Sequence, residues 1–440
     1  MQLTGEQVLA LAPDAGSAAN GKKLANAKHW RSVGCNEQAI WGECQGSALY
    51  QVRVDATTLS VKCSCPSHKF PCKHGLGLLL LAADGKSVPT GEPPGWVREW
   101  LAKRAETAEK RQAKTSEQPK SIDTAVRAKR AEKRAVLVEH GLATLDLWMN
   151  DLVRNGLASV ETQPTTFWER QAAQMVDAQA PGVAARLRQL AGVPGSSADW
   201  PGRLIGGLGQ LALLTHAYAR LETLDEPLRY DVRQLVGWTL SQDEVTAAGK
   251  QVTDDWLAVG QWIEDGDRVR AQRTWLIGAQ SRRPALLLSF SAMGAPFGEA
   301  PLPGTRQRAV LTFYPGVAPV RARLDQRLGE PVGVTDISVG RDTIEEFLED
   351  VAATLARQPW ADRFLCVLGQ ATPVCFDNGR RWYLRDTEDD ALPLSAGDHW
   401  RLLALSGGHP VAVAGEWDGM TLRPLATWCD GRFHSLGGAA

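Results

Sequence analysis

Between Cys63 and His74 the chain reads Cys-Ser-Cys-Pro-Ser-His-Lys-Phe-Pro-Cys-Lys-His, three thiols and two imidazoles in one short stretch. Thiolate and imidazole are the soft and borderline donors that bind zinc tetrahedrally. In so small a unit, metal-binding energy is folding energy, so this cluster constrains what can form around it.

The flanks predict a frame for it. Ala39 to Glu43 and Tyr50 to Val54 read as strands, Asp55 to Thr57 as a hairpin turn, and Leu59 to Cys65 as a further strand. Two residues apart on that strand, Cys63 and Cys65 project from one face. Pro66 and Pro71 bracket a loop that cannot continue the ladder, and Cys72 to Asp84 reads as a helix with Cys72 and His74 at its start. The pattern predicts a ββα unit whose strand end and helix start converge on one metal. Leu76, Leu79 and Leu80 form its core, against two glycines that weaken the helix. Upstream, Gly5 to Ala12 reads as a helix and Ala15 to Asn26 as a loop.

The spacing Cys-x-Cys, six residues, Cys-x-His resembles the SWIM zinc finger, and the flanks Trp41 to Ser47, Tyr50 to Val52 and Cys65 to Pro71 resemble bacterial proteins of that kind. The resemblance covers roughly residues 30 to 84. It implies that Cys63, Cys65, Cys72 and His74 ligate one structural Zn2+ ion. Where bacterial sequences often carry an Arg, this chain has His68, an imidazole without an assigned role. Because such proteins are commonly encoded beside MoxR-type AAA ATPases and von Willebrand A-like proteins, the resemblance also implies partnership with one of these. A closed Cys3His set leaves no position for an activated water, which separates structural from catalytic zinc.

The 440 residues suggest roughly three domains. No apolar run approaches the roughly 20 residues needed to span a bilayer, and Met-Gln-Leu-Thr-Gly-Glu lacks the features of a signal peptide, so no membrane contact and a cytoplasmic location are expected. Cys35, Cys44, Cys366, Cys375 and Cys429 are scattered, as packed or surface thiols are. Residues 98 to 134 carry twelve Lys or Arg against six Asp or Glu, whereas residues 135 to 440 carry a net excess of acid. That imbalance disfavours nucleic acid running across the C-terminal region.

The expected fold class is α+β and multidomain: an N-terminal ββα zinc finger module, a central α-helical region and a C-terminal β-rich region. The boundaries fall at 1–84 (finger about 30–84), 85–124 for a charged helix and linker, 125–265 for a helical domain, and 266–440 for a β-rich domain with one helix. Trp96 to Lys114 reads as a charged helix, and Thr115 to Thr124 as a tether. Val136, Leu137, Leu142, Leu145, Leu147, Leu152 and Val153 recur at helical spacing, and the helical pattern runs to about Ile263. Beyond Gly266 the period shortens toward two, in a barrel or two small sheets. Thr343 to Gln358 is the helix there, with Asp342 as its cap, and Trp400 to Ser406 reads as a strand.

Signatures of catalysis fail in turn. Gly85-Lys86-Ser87 lacks the earlier glycine of a phosphate loop, since Leu80 stands there. Neither His-Glu-x-x-His nor Gly-x-Ser-x-Gly occurs, and Glu264, Asp265 and Asp267 lack the rest of a calcium loop. His216, His399, His409 and His434 are isolated in sequence. No catalytic or cofactor-binding residue is therefore assigned, and a non-enzymatic interaction protein is expected. The alternative is nucleic-acid binding by the finger and basic arm, with Lys62, Lys69, Lys73 and Phe70 as contacts. Three thiolates and Zn2+ sum to one negative charge and offset part of that field.

Overall fold

The computed structural model describes residues 4–437 apart from 10, 13–14, 47, 68, 86–87, 117–123, 267–268, 293–296 and 298–299. Two short helices, α1 (Gly5–Leu9) and α2 (Ala15–Leu24), precede a four-stranded antiparallel meander of β1 (Trp30–Cys35), β2 (Ala39–Gln45), β3 (Leu49–Asp55) and β4 (Val61–Cys63). Helix α3 (Lys73–Ala83) packs on this sheet, burying Leu76, Leu78 and Leu79 against Ile40, Val52, Val54 and Val61. The ββα unit of β3, β4 and α3 is thus extended by β1 and β2, and α1 and α2 lie against α3. Ala15 to Leu24 is a helix, not the expected loop: Gly21 lets α2 approach so closely that a Cβ there would stand 2.8 Å from Leu76 Cβ. Tertiary packing overrides the weak local propensity of Gly, Ser and Asn.

After α4 (Gly95–Ser116) comes a helical bundle of α5 (Thr124–Arg154), α6 (Thr165–Asp177), α7 (Pro181–Leu190), α8 (Trp200–Ala219) and α9 (Glu226–Val236). The expected tether falls mostly outside the described residues. On α5 the buried positions are Val138, Leu142, Leu145, Met149 and Leu152, spaced by three and four, and they pack around Trp168, Leu187, Leu211 and Leu214. Val136, Leu137, Leu147 and Val153 face solvent. The apolar pattern of α5 is wider than the stripe the bundle uses.

A short α10 (Gln242–Ala248) leads into β5 (Lys250–Asp265), β6 (Val269–Gly278), β7 (Pro284–Ala292), β8 (Thr305–Phe313) and β9 (Arg321–Arg327). Strand β8 pairs with both β5 and β9, and β9 runs parallel to β7, so the five strands close into a barrel; β10 (Val332–Gly333) adds to β8. Lys250 to Asp265 is a strand where the helical pattern was expected to continue. Its middle is buried on both sides: Trp256 and Ala258 point into the barrel, Leu257 and Val259 into the next layer. An apolar run buried on both faces shows no period of two and reads equally as helix.

Helix α11 (Ile344–Arg357) precedes a second antiparallel sheet of β11 (Phe364–Phe376), β12 (Arg381–Arg385), β13 (Ala391–Pro393), β14 (Val411–Trp417), β15 (Leu422–Cys429) and β16 (Arg432–Ser435), with α12 (Trp400–Ser406) between β13 and β14. One face of this sheet holds α11 and α12, and the other packs Ala412, Ala414, Leu425 and Trp428 on the outside of the barrel. Trp400 to Ser406 is a helix, not a strand. Asp398 Oδ1 accepts from the Trp400 amide, Leu402 and Ser406 are buried four residues apart, and Gly407 ends the helix at φ 59°. Among the described residues, no helix is long and apolar enough to cross a membrane.

The N-terminal module is not a free appendage. Gln7 Nε2 donates to the Gly304 carbonyl at 2.6 Å, Gln307 Nε2 donates to the Thr57 carbonyl at 3.1 Å, and Leu302 is buried in the core of the finger.

Candidate metal centre

Cys63 ends β4, Cys72 stands at the N-cap of α3, and His74 lies in the first turn. The strand is shorter than its sequence pattern, so Cys65 arrives through a bend rather than along a ladder. That bend is pinned to β3: Ser64 N donates to the Gln51 carbonyl at 3.0 Å, and Gln51 N donates to Ser64 Oγ at 2.9 Å. The ligand atoms of Cys63, Cys65, Cys72 and His74 all lie within 4.8 Å of one another. The Nδ1 of His74 stands 3.8 Å from Cys63 Sγ and 3.9 Å from Cys72 Sγ. A tetrahedral ZnS3N centre, with bonds of about 2.3 Å to sulfur and 2.0 Å to nitrogen, separates its ligand atoms by about 3.5 to 3.8 Å. The set fits one zinc ion with small adjustments, and His74 offers Nδ1 to it.

The electrostatics agree. Cys72 is held below the ordinary thiol range, first by the hydrogen bond from Cys63, against the effect of burial; Cys63 is raised by that same bond and by burial. Burial also raises Cys65. One thiolate at a helix N-terminus is thus comfortable, while three crowded thiolates require a cation. Zn2+ supplies that charge and expels the remaining protons.

Cys72 and His74 are buried, at 4% and 5% exposure. Tyr50 covers the His74 ring, centroids 4.8 Å apart. Tyr50 and Gln51 belong to a flank that carries the resemblance, but neither the ring contact of Tyr50 nor the Gln51–Ser64 pairing is signalled by the spacing. Cys44 is a packed thiol in the core behind the site, raised by burial, and Cys35 Sγ lies 3.8 Å from the Val88 carbonyl. His68 is outside the described residues. So is Asp267, one of the carboxylates near Gly266. Among the described residues, the four-ligand cluster is the one group placed to hold a metal. His216 stands 3.4 Å from Asp146 on the bundle surface, and His399 Nε2 bonds the Ser395 carbonyl.

Residues 50–83 match the SWIM zinc finger, and residues 133–236 match the SWIM-associated four-helix bundle domain. The first match holds all four ligands, and the second spans most of α5 through α9. No curated protein and no solved structure matches the chain significantly.

Proposed function

We propose that this chain, with its SWIM zinc finger and associated helical bundle, is a zinc-dependent scaffold without catalytic activity of its own, and that it docks a protein partner through the ligand-bearing edge of the finger. The observation that carries this reading is how the finger is used within the fold. Its helical side is covered by α1 and α2, and its Thr57 and Leu302 contacts hold the barrel. The described residues of the loop between Cys65 and Cys72 include exposed Pro66, Ser67, Lys69 and Phe70, the last at 49% exposure, with Lys73 exposed beside them. An aromatic ring on a metal-braced loop is a preorganised anchor for an interface. By the resemblance, the partner is a MoxR-type AAA ATPase or a von Willebrand A-like protein.

The test is direct binding of the zinc-loaded chain to each of these purified proteins. Association should weaken at least about tenfold on Phe70→Ser, the scale of an interface anchor. Equal binding by Phe70→Ser, or no binding to either protein, counts against the reading.

Nucleic-acid binding is favoured by one patch. Arg53, Lys62, Lys103 and Arg104 surround Trp96 and Trp100 where α4 crosses β3 and β4. Much of it is internally engaged, however. Arg53 lies over both indoles at 5.3 and 5.9 Å, and Arg104 stacks on Trp100 and pairs with Asp55 at 3.1 Å. That engagement ranks protein docking first, and a salt-independent absence of DNA and RNA binding would remove the alternative.

A further inference from the structure

Where bundle, barrel and C-terminal sheet meet, a cleft of about 1350 Å3 opens between α7 and α9, the loop joining β8 to β9, and α11 with the start of β11. Eight Arg or Lys and three Asp or Glu line it. This is the reverse of the acidic balance of residues 135 to 440 as a whole.

Three of the cations are neutralised by carboxylates. Arg341 is bidentate on Asp350 at 2.7 and 2.8 Å, Arg273 pairs with Glu264 at 3.0 Å, and Arg363 lies 3.4 Å from Glu416. Two are held by neutral groups that leave the charge uncompensated. The guanidinium of Arg283 stacks on Phe313, 3.6 Å from the ring centroid, and Arg357 donates to the Val317 carbonyl at 2.9 Å. The other three, Arg186, Lys250 and Arg282, make no ion pair within 4.0 Å among the described residues. Arg186, on α7, is the telling one: it is half-buried, its guanidinium is pushed down by burial, and only the longer-range field of Asp362 opposes this. Withdrawing a cation from water without a paired anion is costly, and a bound anion removes that cost.

We propose that this cleft binds a small ligand bearing clustered phosphoryl groups, of the nucleoside polyphosphate class, with Arg186, Lys250 and Arg282 as its charge partners and Arg283 and Arg357 adding to the field. Glu226 and Asp362 on the same wall offset two of the five unpaired cations; the remaining excess of three exceeds what one ligand carboxylate balances, and guanidinium forks match phosphoryl oxygens. Tyr230 and Pro315 on the wall offer apolar contact to the organic part. Walls from three layers of the fold favour an enclosed ligand over a polymer, which needs a continuous basic track that the acidic body does not provide.

The experiment is calorimetric titration of the zinc-loaded full chain at low salt with ATP, with inorganic tripolyphosphate and with a short oligo-dT. ATP and tripolyphosphate should bind and compete. Arg186→Gln should weaken both at least about tenfold, as expected for loss of a charge-assisted contact, and Arg186→Lys should weaken them less. Lys250→Gln combined with Arg282→Gln, both exposed positions, serves if Arg186→Gln fails to fold. Absence of ATP and tripolyphosphate binding overturns the proposal, as does binding unchanged in the folded variants. Binding of oligo-dT that neither ATP nor tripolyphosphate displaces also overturns it and makes the cleft a polymer site.

Discussion

Gly75 lies so close to Val61 that a Cβ on it would fall 2.4 Å from Val61 Cγ1. The glycine that weakens the helix by propensity is what lets α3 settle onto β4, bringing His74 down to Cys63. Gly75→Ala should therefore destabilise the finger by about 1 to 3 kcal/mol, the cost of overpacking rather than the gain expected of Ala in a helix. Gly91→Ala, into open space, is the control. Thermal unfolding and zinc-release rate of the two variants check this; equal behaviour would show that the close approach is relieved without cost.

One equivalent of zinc is expected in the untagged protein, and its removal by chelation or by Cys72→Ser should unfold the module of residues 30 to 83. The loss should spread to the barrel segment 302–307, because Leu302 is in the finger's core, Gly304 accepts from Gln7 and Gln307 donates to Thr57. Hydrogen exchange should thus rise in both places and stay unchanged in β14 and β15. Exchange confined to the finger would mean that these contacts do not couple the two parts.

The ligand set was legible because its chemistry is local: Cys63, Cys65, Cys72 and His74 declare themselves by type and spacing. The helix with Cys72 at its N-cap was legible too, whereas the pattern predicts the strand before it two residues too long at each end: β4 is Val61–Cys63, and Cys65 lies in the bend after it. What escaped depends on distant partners. Ala15 to Leu24 is helical because of Leu76, and Trp256 to Val259 hides its strand because both faces are covered. The cap of α11 is Thr343, which accepts from Glu346 N, rather than the neighbouring Asp342. The basic cleft gathers Arg186, Arg282 and Arg357 from separate layers, and no spacing in the chain could have announced it.

Glu416 is buried within β14, where it accepts from the indole N–H of Trp275 at 2.6 Å and of Trp262 at 3.1 Å and pairs with Arg363 at 3.4 Å. It ties two barrel strands to the C-terminal sheet. Glu416→Ala leaves two indole donors and a cation without their acceptor, and should cost roughly 3 to 5 kcal/mol. Denaturant unfolding followed by tryptophan fluorescence measures it. A loss below about 1 kcal/mol would mean that water replaces the carboxylate at no penalty.

Asp231 on α9 is buried and accepts from the Val317 amide at 2.9 Å, clamping the loop that walls the basic cleft. Burial outweighs that hydrogen bond and pushes its carboxyl up to about 6 from an ordinary 3.8. The folded state therefore favours the protonated form. The associated stability is fully present below about pH 4, falls as pH rises through about 6, and is absent above it, an amplitude of roughly 3 kcal/mol. Asp231→Asn can place its amide oxygen where Asp231 Oδ2 accepts from Val317 N, and it removes the titration. The melting temperature of the variant relative to the parent should be lowest near pH 4 and rise to a plateau above pH 6.5, where the variant is the more stable. A difference that does not vary with pH would show that Asp231 is solvated well enough to ionise freely, and that the clamp on the cleft loop does not depend on its protonation.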